Sequence, residues 1–199
     1  MRAGAETTRP VSPALLAATT ETLRRLGARQ FSLTAVAGAA GVSRGTVHNA
    51  LGRRDHAIKV GLDHLASTFF DTMAAEVDKA DTLAEQVAAA AVLICARRQK
   101  SDAVAPRGID ESILLLLLRN IGDDLVGRAT ELWKPLVKAA QSSGEVGPTV
   151  DPAKAGEWIV RILFSFELLP PMGVNIESPR AVKRFVTAHV VAGLTGGGT

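Results

Sequence analysis

The sequence contains no tyrosine and only one cysteine, and these two scarcities restrict what the chain can be. A single thiol, that of Cys95, excludes a disulfide framework and suits the reducing cytoplasm. The longest purely apolar run covers residues 87–96, about half of the roughly 20 residues that a membrane-spanning helix needs. The first 13 residues also lack the apolar centre of a secretory signal. We therefore expect a soluble cytoplasmic protein with no disulfide and no transmembrane helix.

Motifs of enzyme active sites and metal centres are scarce as well. The sequence has neither a phosphate-binding P-loop nor a dinucleotide-binding glycine pattern. His48, His56 and His64 recur at eight-residue spacing, whereas zinc ligands that share a helix stand about four residues apart, as in H-E-x-x-H. We therefore predict no catalytic site, no metal site and no cofactor.

Charge is distributed unevenly along the chain. Residues 1–60 contain nine Lys or Arg and three Asp or Glu, whereas residues 61–199 contain 14 and 17. The net charge of +3 therefore combines a basic amino-terminal part with a mildly acidic remainder. A basic segment of this size is typical of a small nucleic-acid-binding module beside a module with another task. The high Ala and Arg content beside little Lys favours a bacterial source with a GC-rich genome.

Helical periodicity and capping signals predict nine helices and no strand. In chain order, the predicted helices cover residues 13–26, 33–39, 43–51, 55–79, 82–99, 109–120, 123–142, 152–168 and 179–194. Thr82 and Glu85 fit a capping box. Pro135 predicts a kink or a break inside its helix. Three further starts combine a capping side chain with a following proline, at Ser12-Pro13, Asp151-Pro152 and Ser178-Pro179.

The most informative stretch is FSLTAVAGAAGVSRGTVHNAL, from Phe31 to Leu51. Two short segments with helical apolar periodicity flank Gly41, which can supply a left-handed turn, and we expect Val42 to point inward after it. Small side chains in the first segment let two short helices pack closely. The stretch therefore predicts a helix-turn-helix, the motif that lays its second helix in the major groove of DNA.

The second helix of this motif is predicted to direct polar side chains away from its packed face. Arg44 has the donors to pair with guanine O6 and N7, and Asn49 can pair with adenine N6 and N7. Arg53 and Arg54 follow where such motifs commonly hold the sugar-phosphate backbone. The predicted DNA-binding residues are Ser32, Ser43, Arg44, Gly45, Thr46, His48, Asn49, Arg53 and Arg54.

Residues 15–57 resemble the amino-terminal domain of TetR-family transcriptional regulators. The match is carried by FSLTAVAGAAGVSRGTVHNALGRRDHAI, and within it by A-G-V-S-R-G-T-V. The stretches DPAKAGEWIVRILFSFELLPP and SPRAVKRFVTAHVVAGL are more loosely similar to the last two helices of the family. The chain departs from the family at His48, Asn49 and Leu51, where members usually have aromatic residues. The resemblance implies a transcriptional regulator, usually a repressor, in which Arg54 replaces a lysine that contacts the DNA backbone.

The same resemblance implies an all-α homodimer with a three-helix DNA-binding head and a six-helix body for ligand binding and dimerisation. We expect a flexible arm at 1–11, the DNA-binding domain at 12–54, the effector-binding and dimerisation domain at 55–194 and a flexible tail at 195–199. The last two helices carry apolar stripes and are expected to pair with those of the partner in a four-helix bundle. Two-fold symmetry implies a palindromic operator. The predicted interface residues are Trp158, Ile159, Ile162, Leu163, Phe166, Val182, Phe185, Val186, His189 and Val190.

In a body of this kind, a small effector binds in a cavity between helices. Residues 87–96 and 113–118 are apolar on nearly every side, so the expected effector is apolar or amphipathic. Its binding is expected to release the protein from the operator. The candidate pocket residues are Cys95, Leu116, Arg119, Asn120, Trp133, Phe164, Glu167 and Met172.

Two other functions fit the same residues. A helix-turn-helix can serve packing alone in a helical protein-interaction module, and the missing aromatic residues favour this alternative. Cys95 would make a redox-sensing regulator with no small-molecule effector, but an apolar helix raises the pKa of a thiol rather than activating it. DNA binding through phosphates predicts an affinity that falls steeply with ionic strength, which a protein-interaction module does not share.

Overall fold

A computed structural model describes residues 11–104, 113–191 and 194 of the chain, and it describes them as helices joined by short connections. No strand occurs in these ranges, which confirms the predicted all-α fold. The expected arm at 1–11, apart from Val11, and the expected tail at 195–199 lie outside them. The elements are α1 (Pro13–Gln30), α2 (Leu33–Ala40), α3 (Arg44–Leu51), α4 (Arg54–Val77), α5 (Leu83–Val104), α6 (Ile113–Ser142), α7 (Pro152–Leu168) and α8 (Pro179–Phe185), which continues as a π-helical turn over Val186–Val191.

Hydrogen bonds at the helix starts confirm the predicted caps. At α7, the carboxylate of Asp151 accepts from the backbone amides of Ala153 (2.8 Å) and Lys154 (3.2 Å). The amides of Lys154 and Ala153 thereby hold the pKa of the Asp151 carboxyl below its ordinary value. At α5, Thr82 and Glu85 form the capping box, with amide-to-side-chain distances of 3.4 and 3.2 Å. The remaining predicted caps are the hydroxyls of Ser12, Ser32, Ser43 and Ser178.

Helix α1 is interrupted where the sequence predicts its end. Gly27 has φ 65° and ψ 174°, a conformation that L side chains rarely adopt. A final turn then runs from Ala28 to Gln30 before the chain enters α2. The prediction of a helix end after residue 26 is therefore correct for the regular part of α1, but it misses this last turn.

Helix α6 joins two predicted helices and continues through Pro135, where the sequence predicts a kink or a break. Its backbone departs from helical geometry at Ile121 (φ −140°, ψ 30°), beside Gly122 and between the predicted segments 109–120 and 123–142. The predicted start at 109 lies outside the described residues. The backbone stays helical through Pro135, so no break occurs there. Trp133, two residues before the proline, is buried in the core.

The chain divides into two compact units, residues 1–67 and 68–199, and the division falls within α4. In the first unit, α1 and α4 approach so closely that a Cβ on Gly61 would lie 2.6 Å from Leu23 Cδ1. The largest buried side chains of this unit include Leu23, Phe31, Val36, Val47, Leu51 and Leu62. Through these residues, α2 packs against both α1 and α3.

The second unit has one apolar core, with Trp133 among its most deeply buried side chains. Helices α6 and α7 approach closely at Gly156, because a Cβ there would lie 3.1 Å from the carbonyl oxygen of Thr130. The guanidinium of Arg98 on α5 donates to the carbonyls of Phe166 (2.8 Å) and Leu169 (2.6 Å) at the end of α7. Within the described ranges, none of the helices combines the length and apolarity needed to cross a bilayer.

Candidate nucleic-acid interface

The turn of the helix-turn-helix is set by Gly41. Its φ of 66° and ψ of 29° are left-handed, and the amide of Val42 then donates to the carbonyl of Ala37 at 3.0 Å, which ends α2. The Val42 side chain is 41% exposed, so the expectation that it points inward is wrong. Val36 and Val47 are both fully buried and already fill the interior on either side of the turn.

The predicted division of α3 into a packed face and an open face is confirmed. Val47 and Leu51 are fully buried, and Ala50 is half-buried. Because these three residues follow helical spacing, the remaining side chains of α3 project away from the head. The exposed residues are Arg44, Gly45, Thr46, His48 and Asn49.

Four of the predicted DNA-binding residues have side chains that are available for a ligand. Arg44, His48 and Asn49 on α3, and Arg53 just after it, are exposed. Within the part of the chain that the structure describes, these side chains form no hydrogen bond and no ion pair. The helix that the motif would place in a DNA groove therefore presents one guanidinium, one imidazole and one amide, and a second guanidinium follows its end.

Three other predicted DNA-binding residues, Ser32, Ser43 and Thr46, take part in hydrogen bonds that cap α2 and α3. The hydroxyl of Ser32 accepts from the amide of Ala35 at 3.1 Å and begins α2. The hydroxyl of Ser43 accepts from the amide of Thr46 at 3.0 Å, and the two hydroxyls lie 2.9 Å apart. Ser32 still has a hydroxyl proton to donate to an anion at the start of α2, where backbone amides also point outward.

Arg54 donates more hydrogen bonds than any other predicted DNA-binding residue in the described part of the chain. Its Nε donates to the carbonyl of Phe31 at 3.0 Å, and its Nη1 donates to Asp55 Oδ1 at 3.2 Å. Its Nη2 donates to the carbonyls of Ala28 and, at 3.4 Å, of Arg29. The guanidinium therefore joins the start of α4 to the end of α1.

Several of the predicted DNA-binding residues surround a groove of about 320 Å³ on the first unit. Its walls combine three guanidinium groups, one imidazole and the first turn of α2, so the groove attracts anions. Thr34 was not predicted from the sequence, yet its exposed hydroxyl lies in this wall. A hydroxyl in the first turn of a helix, beside orphan amides, is the signal that identifies it. The lining residues are Ser32, Leu33, Thr34, Arg44, His48, Arg53 and Arg54.

Residues 41–45 read G-V-S-R-G and match the G-x-S-x-G pattern of a hydrolase nucleophile elbow. That elbow is a sharp turn from a strand into a helix, whereas this stretch joins two helices. The hydroxyl of Ser43 also caps α3 through Thr46. The pattern here therefore belongs to the turn of the helix-turn-helix.

The structure places the eight candidate pocket residues in different environments. Cys95, Trp133 and Phe164 belong to, or pack against, the core of the second unit. Met172 is 90% exposed on the connection between α7 and α8, and Arg119 is also exposed. The other three are half-buried, namely Leu116, Asn120 and Glu167.

Burial controls the chemistry of Cys95. Desolvation raises the pKa of its thiol to about 11, although the nearby charge of Arg98 opposes the rise. A thiol with this pKa is protonated at neutral pH and reacts slowly with oxidants. Burial therefore argues against the redox-sensing alternative.

Five of the ten predicted dimer-interface residues are core residues of the subunit itself. Half of the predicted interface set is buried within the chain, and this corrects their assignment to a dimer surface. The physical reason is that α7 and α8 turn their apolar stripes toward the same core, where Phe166 and Phe185 meet edge to face at 6.0 Å. The buried residues are Ile159, Leu163, Phe166, Val182 and Val186.

The other predicted interface residues differ in exposure. Trp158 is 43% exposed, and His189 is exposed 4.9 Å from the ring of Phe185. Ile162 and Phe185 are half-buried. The side chain of Val190 lies outside the described residues. The outer face of α7 therefore keeps Trp158 and Ile162 at a spacing of one helical turn.

Comparison with known proteins identifies the fold. No protein-family model matches the sequence, and no curated protein is significantly similar to it. The fatty acid degradation regulator FadR from Bacillus halodurans superposes with a TM-score of 0.66, at 15% identity over 90% of this chain and 97% of that one. FadR from Bacillus subtilis, in complex with stearoyl-CoA, gives 0.61 at 14% identity over 88% and 97%. A cysteine mutant of the TetR-family regulator CifR, complexed with 26-bp double-stranded operator DNA, gives 0.67 at 19% identity over 91% and 97%.

Proposed function

The chain has the fold of the TetR-family transcriptional regulators, and we propose that it is a DNA-binding transcriptional regulator. The observation that carries the proposal is the exposed face of α3, on which Arg44, His48 and Asn49 have no partner among the described residues. An unpartnered guanidinium and amide on a recognition helix match the edges of guanine and adenine. The similar CifR, bound to its operator, supports the same role for this head.

We assign base reading and phosphate binding to different residues. Arg44 and Asn49 read base edges from the exposed face of α3. The sugar-phosphate backbone is held in the groove of about 320 Å³ at the start of α2, which is lined by Arg53, Ser32 and Thr34. His48 is exposed on α3 and also lines this groove of the protein. Gly45 has no side chain, so it lets the backbone of α3 approach the floor of the DNA groove.

The test is selection of bound sequences from a pool of random duplex DNA by the full chain. An enriched palindrome supports the proposal and supplies the operator. No enrichment, with retention that does not exceed that of an Arg44→Ala/Arg53→Ala double variant, contradicts it. That result would favour the alternative of a helical protein-interaction module.

We propose further that the regulator is a homodimer whose interface includes the outer face of α7. Trp158 is 43% exposed on this face, and the half-buried Ile162 lies one helical turn further along it. Leu169, which follows the end of α7, is 59% exposed. A two-fold dimer presents two α3 helices to half-sites about 34–36 Å apart, or a multiple of that distance. Trp158→Arg is expected to lower the mass measured by light scattering from two chains to one, whereas Glu177→Arg is not.

We propose that a small apolar or amphipathic effector releases the regulator, so that it acts as a repressor. FadR from Bacillus subtilis has the same fold and was solved with stearoyl-CoA, and the second unit here has an apolar core around Cys95, Trp133 and Phe164. The part of α4 in this unit packs against its neighbours through Phe69, which lies 4.7 Å beneath the guanidinium of Arg97 on α5. A ligand that moves α5 therefore acts on α4.

Release requires that the effector bind the DNA-free state more tightly than the DNA-bound state. Stearoyl-CoA is the first probe, titrated into the complex of the full chain with its selected duplex. A fall in DNA affinity that saturates with ligand supports repression relieved by a ligand. Binding of stearoyl-CoA with no change in DNA affinity contradicts the coupling.

The proposal assigns residues 12–54 to DNA binding and residues 55–194 to effector binding and dimerisation, in the cytoplasm and without catalysis or a cofactor. Its fold neighbours are regulators of transcription. The raised pKa of the Cys95 thiol argues against the redox-sensing alternative. Within the described residues, no three His, Cys, Asp or Glu side chains are grouped to hold a metal ion.

A further inference from the structure

The end of α1 leaves backbone carbonyls that the helix itself does not satisfy. Gly27 interrupts the helix, and the chain turns into α2 only a few residues later, after Phe31. The last carbonyls of a helix have no amide ahead of them to accept from, and they carry the negative end of the helix dipole. The carbonyls of Ala28 and Arg29 belong to this last turn, and the carbonyl of Phe31 follows it at the C-cap.

The guanidinium of Arg54 donates to all three of these carbonyls and to the carboxylate of Asp55. A guanidinium has five N–H groups, so at most one remains for another acceptor. The Arg54 side chain is 44% exposed, which shows that these bonds form at the edge of the head rather than deep inside it. The three carbonyls lie 23 to 26 residues earlier in the chain.

The segment enclosed by these bonds is the helix-turn-helix itself. Residues 32–53 contain α2, the turn at Gly41 and α3, and both ends of the segment meet at Arg54. A cross-link between the ends of a segment restricts how its helices tilt against the rest of the head. Loss of the hydrogen bonds of Arg54 would therefore allow α3 to change its tilt against the rest of the head.

We propose that Arg54 is a positioning residue of the DNA-binding head, which fixes the last turn of α1 to the first turn of α4, and that it does not contact a DNA phosphate. The role rests on the proposed DNA-binding function. It differs from the backbone contact that the sequence resemblance assigns to this position. The phosphate contact belongs instead to Arg53, whose guanidinium has no partner in the described part of the chain.

Arginine is specifically suited to this position. Its planar fork directs N–H groups along several fixed directions, and here it reaches carbonyls on successive residues. Lysine keeps the charge but presents its donors from a single nitrogen, so it cannot reproduce the set of bonds. Lysine does remain an effective partner for a phosphate. Arg54→Lys therefore separates a positioning role from a phosphate contact.

The experiment compares Arg54→Lys and Arg54→Ala with the wild type, and uses Arg53→Ala as the matched control. Amide hydrogen exchange of residues 27–53 is measured on the full chain without DNA. Binding to the selected duplex, and to a random-sequence duplex of equal length, is then measured at several salt concentrations. Exchange over residues 13–26 of α1 and over residues 152–168 of α7 shows whether each of the two units is folded in a variant.

Positioning predicts that both Arg54 variants exchange at least about tenfold faster over residues 27–53, because several charge-assisted hydrogen bonds are lost. It also predicts that both bind the selected duplex at least about tenfold more weakly, with the salt slope of the wild type. Arg53→Ala should leave exchange unchanged and reduce the slope by about 0.9 for its lost phosphate contact. Arg54→Lys should therefore resemble Arg54→Ala, and not the wild type, in both exchange and DNA affinity.

Two results would overturn the inference. One is wild-type exchange in both Arg54 variants. The other is wild-type DNA binding by Arg54→Lys together with a reduced salt slope in Arg54→Ala, which would identify a phosphate contact. If the wild type selects no DNA, the proposed function fails, and the exchange measurement still decides whether Arg54 holds the head.

Discussion

One carboxylate oxygen of Glu145 accepts a hydrogen bond of 2.8 Å from the backbone amide of Leu83, which lies 62 residues earlier in the chain. Its other oxygen accepts from the amide of Ala84, also at 2.8 Å. The connection between α6 and α7 thus supplies a cap for the first turn of α5. A carboxylate at this end of a helix satisfies orphan amides and complements the positive end of the dipole.

Glu145→Ala is expected to lower the free energy of unfolding by roughly 1–3 kcal/mol, because two amides at the start of α5 lose a charged acceptor. Glu145→Gln should cost less, since one amide oxygen remains as an acceptor. Urea denaturation measures both, with the exposed Glu177→Ala as the control. Equal stability of Glu145→Ala and the control would show that water replaces the cap without cost.

The caps illustrate how far the sequence predicts this fold. Asp151 and the Thr82–Glu85 pair are recognisable because cap and helix are adjacent in the chain. Glu145 has no such signal, because its partners are distant in sequence. Local hydrogen bonding therefore predicts most helix boundaries, while the bonds that join one helix to another become visible only in the structure.

The candidate site shows the same limit. Periodicity correctly identifies the open face of α3, which carries Arg44 and Asn49. Periodicity also identifies an apolar stripe on α7, but it does not show what covers that stripe, and Ile159 and Leu163 are buried within the subunit rather than against a partner. For Arg54, residue type predicts a cation near DNA, whereas the carbonyls that bind it come from a helix end elsewhere in the sequence.

Gly61 on α4 is expected to tolerate even a small side chain poorly, because α1 lies close to it. A Cβ at this position would lie 2.6 Å from Leu23 Cδ1 and 2.9 Å from Thr19 Cγ2. Both neighbours are fully buried, and the Thr19 hydroxyl donates to the carbonyl of Leu15 at 2.7 Å, so neither moves freely. Gly61→Ala should therefore destabilise the protein by about 1–3 kcal/mol through overpacking.

The matched control for Gly61 is Gly38→Ala on α2. Gly38 is exposed and has no atom within 4 Å of a Cβ built on it. Alanine there should be neutral or stabilising by about 0.5–1 kcal/mol, since it favours the helix. Thermal unfolding of both variants checks the pair. A Gly61→Ala protein as stable as Gly38→Ala would contradict the close packing of α1 and α4.

The thiol of Cys95 is expected to react slowly at neutral pH. Its pKa of about 11, raised from 9.0 by burial, leaves roughly one-hundredth of the ordinary thiolate at pH 7. The rate of alkylation by iodoacetamide should rise with pH and show no plateau below about pH 10. In urea, the same thiol should titrate near its ordinary pKa. A plateau below pH 8 in the folded protein would instead indicate an activated cysteine and revive the redox alternative.

The central claim is that the exposed face of α3 reads DNA sequence. The most direct measurement compares the affinity of the wild type and an Arg44→Ala/Asn49→Ala double variant for the selected duplex and for a duplex of the same composition in permuted order. The wild type is predicted to prefer the selected duplex by about 10³-fold or more. The double variant should lose most of this preference, at roughly 1–3 kcal/mol for each base contact, while its affinity for the permuted duplex changes little. A double variant that keeps the full preference would contradict the account, because another surface would then be reading the operator.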